Sequence, residues 1–148
     1  FLTDEKVRDL LSISDKITRE KKLRSSRIDF KVDDCYIEVK TMVAEYYCKP
    51  SNALAKLMKI RDPSIDRMRK HINDLAAEIE EFSARAAVIT VFQYDAPIFK
   101  PPIDREIYSD FVNDLRIAKS KGLKQYQMNI LITKEYAELI SFFENETV

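Results

Sequence analysis

The chain has 148 residues, 45% hydrophobic and 34% charged, which suits one folded domain and excludes a disordered chain. Its 25 Lys and Arg balance 25 Asp and Glu, so net charge gives no argument for a nucleic-acid, membrane or acidic partner. Two cysteines exclude a disulfide framework or a zinc site. The longest apolar run, 86–92, is too short to span a bilayer, and the N-terminus lacks a signal layout. We therefore expect a cytoplasmic protein without membrane contact.

The first half of the chain predicts a short helix and three strands. These elements are expected at 4–11, 16–20, 26–32 and 35–42, in that order. Thr3 is the candidate N-cap of the helix. Residues 43–63 predict no clear element, because Pro50 and Pro63 interrupt regular structure.

The second half predicts two long helices that alternate with two strands. The first helix, 64–82, has apolar residues at three- and four-residue spacing and Ser64 as its N-cap. Asp104 is expected to cap the second helix, and Gly122 to end it in a left-handed conformation. The core-facing residues of that helix are Ile107, Phe111, Leu115 and Ala118. The strands are expected at 86–93 and 126–132, followed by an acidic tail.

This order of elements predicts an α/β fold. A turn of two residues between strands gives an antiparallel pair, whereas a helix between strands gives parallel neighbours. We therefore expect a mixed central sheet flanked by helices, formed by residues 1–148 as a single domain.

The stretch RIDFKVDDCYIEVK, residues 27–40, reads as a hairpin with Asp33 and Asp34 in its turn. One face is then entirely apolar: Ile28, Phe30, Val32, Cys35, Ile37 and Val39. The other face carries Arg27, Asp29, Lys31, Tyr36, Glu38 and Lys40. In this register Asp29 is opposite Glu38, and like charges directly opposite destabilise a sheet. A solvated polar face is the simpler interpretation; a metal site between the two carboxylates explains the like charges.

Two converging carboxylates suit Mg²⁺, with Mn²⁺ as a substitute. The expected ligands are Asp29, Glu38 and the backbone carbonyl of Val39. Lys40, two residues after Glu38, can orient a water or balance the charge of a phosphate. The spacing Asp-x8-Glu-x-Lys is the PD-(D/E)xK pattern of the restriction-endonuclease-like nucleases.

Residues 17–41, ITREKKLRSSRIDFKVDDCYIEVKT, resemble the sugar fermentation stimulation protein A family. The family's Arg-Glu, Ser-Arg-aliphatic-Asp-Phe and Tyr-aliphatic-Glu-Val-Lys motifs are all present. DRMRKHI at 66–72 resembles its next helix, with Met68 in place of a Gly. The resemblance implies a restriction-endonuclease-like fold, with Asp29, Glu38 and Lys40 catalytic and Glu20 as a further acid at the metal. It also implies that the family's small N-terminal module, similar to an oligonucleotide-binding fold, is absent from this chain.

The local charge favours a nucleic-acid partner. Residues 16–27 carry six cations against one anion, and residues 49–71 carry seven against two. Both segments flank the hairpin, so they would attract a phosphate backbone, DNA above all. The expected contacts are Arg27, Arg67 and Lys70, and the oligomeric state, monomer or homodimer, stays open.

We therefore predict a Mg²⁺-dependent nuclease. A non-catalytic DNA-binding or regulatory protein that keeps the nuclease fold is the alternative. His71, the only histidine, lies at the margin of the apolar face of its helix. It is as well explained by packing as by a role in the site.

Overall fold

The computed structural model describes residues 2–14, 16–42, 63–100 and 106–147, which form three α-helices and six β-strands. In chain order these are α1 Glu5–Leu11, β1 Ile17–Leu23, β2 Ser26–Val32, β3 Cys35–Met42, α2 Pro63–Phe82, β4 Arg85–Phe92, α3 Glu106–Ser120, β5 Lys124–Ile132 and β6 Ala137–Glu144. The predicted helices and strands are confirmed, with ends shifted by at most three residues. Most of the segment 43–63, which predicts no element, and the predicted cap Asp104 lie outside the described residues.

The six strands form one mixed sheet in the order β1-β2-β3-β4-β5-β6. Strands joined by short turns pair antiparallel: β1 with β2, β2 with β3, and β5 with β6. β3, β4 and β5 are parallel, because longer connections containing α2 and α3 carry the chain back before the next strand begins. The predicted α/β fold with a mixed sheet flanked by helices is confirmed.

The sheet has an apolar core on each face. One core, called here the α1 core, includes Val7, Leu11, Val32, Ile37, Ile89 and Met128. The other, called the α2–α3 core, includes Ile28, Ile72, Leu75, Val88, Leu115 and Ala118. β4 contributes Val88 to one core and Ile89 to the other, so it is buried on both faces, as its continuous apolar run predicts.

The end of α3 agrees with its prediction. Leu115 and Ala118 are buried and Phe111 packs against them; the side chain of Ile107 is not described. Gly122 has φ +109°, which confirms a positive φ after the helix. No helix in the described part of the chain is long and apolar enough to cross a membrane.

Both predicted N-caps of the first two helices are wrong. The N-cap of α1 is Asp4, whose Oδ1 accepts a hydrogen bond of 3.0 Å from the N–H of Lys6. A carboxylate at this position also interacts favourably with the positive end of the helix, which the Thr3 hydroxyl cannot do. α2 begins at Pro63, so Ser64 lies inside its first turn. Proline is favoured at the first helical position because an N–H there has no partner within the helix, so proline costs no hydrogen bond.

The acidic segment after β5 contains a sixth strand, which the sequence analysis does not predict. β6 pairs antiparallel with β5, and the register shifts between Asn129 and Ile130, leaving Ile140 unpaired. The bulge lets Leu139 and Phe142, three residues apart, both pack against the α1 core. It thereby hides the two-residue alternation by which a strand is normally predicted.

Candidate metal centre

The hairpin of β2 and β3 has the predicted register. Its Cα pairs are Val32↔Cys35, Lys31↔Tyr36 and Phe30↔Ile37, around the turn at Asp33 and Asp34. One further step would place Asp29 opposite Glu38, but the pairing ends before that step. The ladder therefore stops one step before Asp29 and Glu38, and the charge of Asp29 acts on Glu38.

At this point the Asp29 side chain, instead of a backbone carbonyl, accepts a hydrogen bond from β3. Its Oδ2 accepts a hydrogen bond of 2.8 Å from the N–H of Val39. In a continued ladder that N–H would face the backbone of Ile28. The N–H and C=O of one residue in an antiparallel strand point to the same neighbour. The Val39 carbonyl is therefore directed to the side occupied by the Asp29 carboxylate.

The predicted all-apolar face of the hairpin is wrong at Ile28. Phe30 and Val32 belong to the α1 core, whereas Ile28 is buried in the α2–α3 core on the other face of the sheet. β1 makes the same change, because Ile17 packs against the α1 core and Leu23 lies in the α2–α3 core. Simple alternation would keep each pair on one face.

The change of face in β1 has a backbone cause at Glu20. This residue has φ +50°, a backbone conformation that is uncommon for residues other than glycine. It stands where the β1–β2 register lacks a pair, opposite Asp29. The pairing of β1 with β2 is therefore interrupted at one acidic residue in each strand, Glu20 in β1 and Asp29 in β2. Of these two, Asp29 is a predicted ligand of the metal site.

Glu38 is buried in the sheet, with 5% of its surface exposed. Its Oε1 lies 2.6 Å from Nδ1 of His71 on α2. Its Oε2 is buried and has no hydrogen-bond partner among the described residues. Removal from water raises the pKa of Glu38, and the charge of Asp29 adds to this rise. The hydrogen bond from His71 and, more weakly, the backbone N–H of Asp29 lower the pKa. A cation at Oε2 would offset both unfavourable effects.

The remaining predicted residues surround this pair unevenly. Lys40 lies two residues after Glu38, so its side chain leaves the same face of β3. Glu20 is exposed and forms an ion pair of 3.3 Å with Arg27. Within the described ranges, no three His, Cys, Asp or Glu side chains gather closely enough to hold a metal ion. The carboxylates of Asp29 and Glu38 are therefore not joined there by a third such ligand.

Two predicted phosphate contacts lie on α2. Arg67 is exposed, and Lys70 donates a hydrogen bond of 2.7 Å to the backbone carbonyl of Ser25 in the β1–β2 turn. Lys70 therefore joins α2 to the β1–β2 turn, a role that sequence reasoning missed.

Sequence reasoning also left His71 undecided. Helical periodicity places it at the margin of the apolar face but gives no partner 33 residues earlier in the chain. The available signal was the Lys-His pair in the segment DRMRKHI.

A mixed sheet whose hairpin stops pairing at Asp29 and Glu38, with Lys40 two residues after Glu38 on β3, defines a restriction-endonuclease-like α/β domain. The family description "Sugar fermentation stimulation protein RE domain" matches residues 2–136. The chain belongs to this family, SfsA, which confirms the resemblance found in its motifs.

The relatives are longer than this chain. It is 30% identical over 148 residues to a sugar fermentation stimulation protein homolog of Clostridium perfringens (strain 13 / Type A), covering 97% of this chain and 60% of that protein. A homolog from Thermoanaerobacter sp. (strain X514) is 29% identical over 129 residues, covering 84% of this chain and 52% of that protein. These names state no enzymatic activity.

A solved structure of Pyrococcus furiosus SfsA in complex with Ca²⁺ has the same fold. Its TM-score is 0.65 at 16% identity, covering 97% of this chain and 58% of the Pyrococcus chain. At this identity the likeness shows the fold alone.

Proposed function

We propose that this domain is a nuclease that uses Mg²⁺, or Mn²⁺ as a substitute, to hydrolyse phosphodiester bonds in DNA or RNA. The observation that carries the proposal is the buried Glu38 oxygen without a partner, next to Asp29, where the β2–β3 ladder ends. Membership of a family whose domain is described as "RE" supports it. The Ca²⁺ complex of the Pyrococcus relative also supports it, since Ca²⁺ and Mg²⁺ both prefer oxygen ligands.

The donor atoms suit a hard cation. Asp29 and Glu38 offer one carboxylate oxygen each beyond those engaged by Val39 and His71, and the Val39 carbonyl is directed to the same side. Mg²⁺ is commonly held by one or two carboxylates and keeps several waters. Glu20 would take part through one of those waters after leaving Arg27.

Each predicted side chain would have a separate role in hydrolysis. When bound, the cation would acidify a water and stabilise negative charge on the phosphate. Lys40 would orient the attacking water, whose oxygen forms the new bond to phosphorus as the bond to the leaving oxygen breaks. Arg27 and Arg67, both exposed, would bind neighbouring phosphates, and Lys70 would join them by exchanging its bond to Ser25.

The test is incubation with single- and double-stranded DNA and RNA in Mg²⁺, Mn²⁺ or EDTA. We expect cleavage with either metal and none in EDTA. Asp29→Asn and Lys40→Gln should abolish it, whereas Asp9→Asn on the exposed side of α1 should not. Cleavage that persists in EDTA, or in the Asp29→Asn protein, would come from another source and would refute the proposal.

The exposed cations of the edge strand β1, namely Arg19, Lys21 and Lys22, favour a second candidate: DNA binding without cleavage. Such binding should weaken steeply with salt, because each phosphate contact releases counterions. Replacing Arg67 and Lys70 together should flatten that dependence. Salt-dependent binding of duplex DNA with no cleavage in any metal would select this candidate over the nuclease.

A further inference from the structure

We propose that His71 is a positioning residue of the candidate metal centre. Its Nδ1–H would hold Oε1 of Glu38 and so keep Oε2 available to the cation. This inference rests on the proposed function, since it names the residue that prepares one of the metal's ligands.

The contact is short and enclosed. Nδ1 of His71 and Oε1 of Glu38 are 2.6 Å apart, and the two side chains are 13% and 7% exposed. The form of Glu38 that binds a cation is the ionised carboxylate, which can only accept hydrogen bonds, so Nδ1 would carry the proton in that form. One oxygen of Glu38 is thus taken, while the other has no partner in the described part of the chain.

The α2 helix fixes the position of the imidazole. Met68, Ile72 and Leu75, at three, one and four residues from His71, are buried in the α2–α3 core. A second link lies two turns further along the helix, where Glu78 accepts a hydrogen bond of 3.4 Å from the Tyr36 hydroxyl. The two links anchor one side of α2 to one face of β3, because Tyr36 and Glu38 are two residues apart in the strand.

This arrangement controls which ligand atom Glu38 presents. Carboxylates that bind metals are usually oriented by hydrogen bonds from neighbouring residues, and losing such a partner weakens metal binding by about 10- to 100-fold. Without His71, neither carboxylate oxygen of Glu38 would have a side-chain hydrogen-bond partner among the described residues, which leaves the backbone N–H of Asp29 as the group that still acts on the carboxylate.

Two substitutions separate positioning from packing. In His71→Asn the amide nitrogen can occupy the place of Nδ1, whereas in His71→Gln it reaches the place of Nε2. We expect His71→Gln to weaken Mn²⁺ binding, measured by calorimetry, by about 10- to 100-fold. His71→Asn should bind nearly as well as wild type. Asn73→Gln, at an exposed position of the same helix, should be unchanged. Circular dichroism in EDTA establishes that each variant is folded.

Equal Mn²⁺ affinity in wild type and folded His71→Gln would overturn the role of His71. So would a folded His71→Asn protein that binds as weakly as Asp29→Ala, and this arm decides the matter if His71→Gln does not fold. Asp29→Ala separates the two proposals. Binding that Asp29→Ala loses but His71→Gln keeps refutes the positioning role alone. Wild type that binds no Mn²⁺ refutes both the positioning role and the metal centre.

Discussion

The half of the sheet formed by β1, β2 and the β2–β3 hairpin, called here the irregular half, pairs less completely than the half in which β3, β4 and β5 run parallel, called the regular half. β3 and β4 pair through all eight residues of each strand, from Cys35↔Arg85 to Met42↔Phe92. β2 and β3 share only three pairs, and the β1–β2 register lacks a pair at Glu20 and Asp29. The regular half buries both faces of β4, whereas the irregular half brings carboxylates together. The backbone pairing of β2 with β3 thus ends where the Asp29 side chain binds the backbone of β3 instead.

The two halves also differ in the conformational cost they bear. Among the described residues, Glu20 is the positive-φ residue inside a strand, and the other non-glycine residues with positive φ lie at turns or helix ends. Backbone strain of this kind persists only where the surrounding structure imposes it, and it is common at functional sites. We infer that the irregular half exchanges some stability for the placement of Asp29.

The largest expected effects come from one core substitution in each half. Met128→Ala in β5 and Ile28→Ala in β2 remove side chains that are 1% and 0% exposed. Each should lower the free energy of unfolding by about 2–5 kcal/mol in urea titrations. Only Ile28→Ala should also weaken Mn²⁺ binding by the folded protein, because Ile28 precedes Asp29. Equal loss of affinity in both variants would contradict the division into halves.

A smaller effect is expected at Glu20. Glycine adopts positive φ without steric cost, so Glu20→Gly should be more stable than Glu20→Ala by about 1 kcal/mol. Both variants lose the same carboxylate and the same ion pair with Arg27, so the comparison isolates the backbone. Chemical denaturation measures the difference. A Glu20→Ala protein as stable as Glu20→Gly would show that β1 carries no strain.

The smallest effect concerns Asp34, in the turn that joins the halves. A hydrogen bond from Arg85 of β4 holds the pKa of Asp34 below its ordinary value of 3.8. A lowered pKa gives stability that is present above 3.8 and is lost as the pH falls through the lower, folded-state value. Wild type should therefore exceed Asp34→Asn slightly in melting temperature at pH 7, with the gap closing in acid. A gap that widens in acid would contradict this sign.

Hydrophobic alternation was sufficient to predict the hairpin, its turn and its register. Apolar residues at every second position of β2 and β3 leave one pairing that keeps Phe30 and Ile37 together. Alternation could not predict the change of face at Ile28, because it assumes regular pairing along the whole strand, and the pairing of β2 with both of its neighbours is missing at Asp29. The sixth strand was hidden in the same way by the bulge at Ile140.

The sequence predicts the acidic residues of the candidate site but not the hydrogen bonds that hold the surrounding elements in place. Asp29 and Glu38 follow from the register and the motif. The bond from His71 to Glu38 and that from Lys70 to Ser25 depend on how α2 packs over the hairpin. Periodicity along one helix identifies its buried face but not the residues of another element that the face contacts.

Thermal melts of wild type and Asp29→Asn, each in EDTA and in Mg²⁺, test the central claim most directly. The asparagine keeps an oxygen for the Val39 N–H but removes the charge beside Glu38. Without metal, the free energy of unfolding of the variant should equal that of wild type or exceed it by about 0.2–1 kcal/mol, which is the range of cross-strand pair energies. Mg²⁺ should raise the melting temperature of wild type alone, because a ligand of the folded state stabilises it. A metal-free variant clearly less stable than wild type, or an equal response of both proteins to Mg²⁺, would contradict the account.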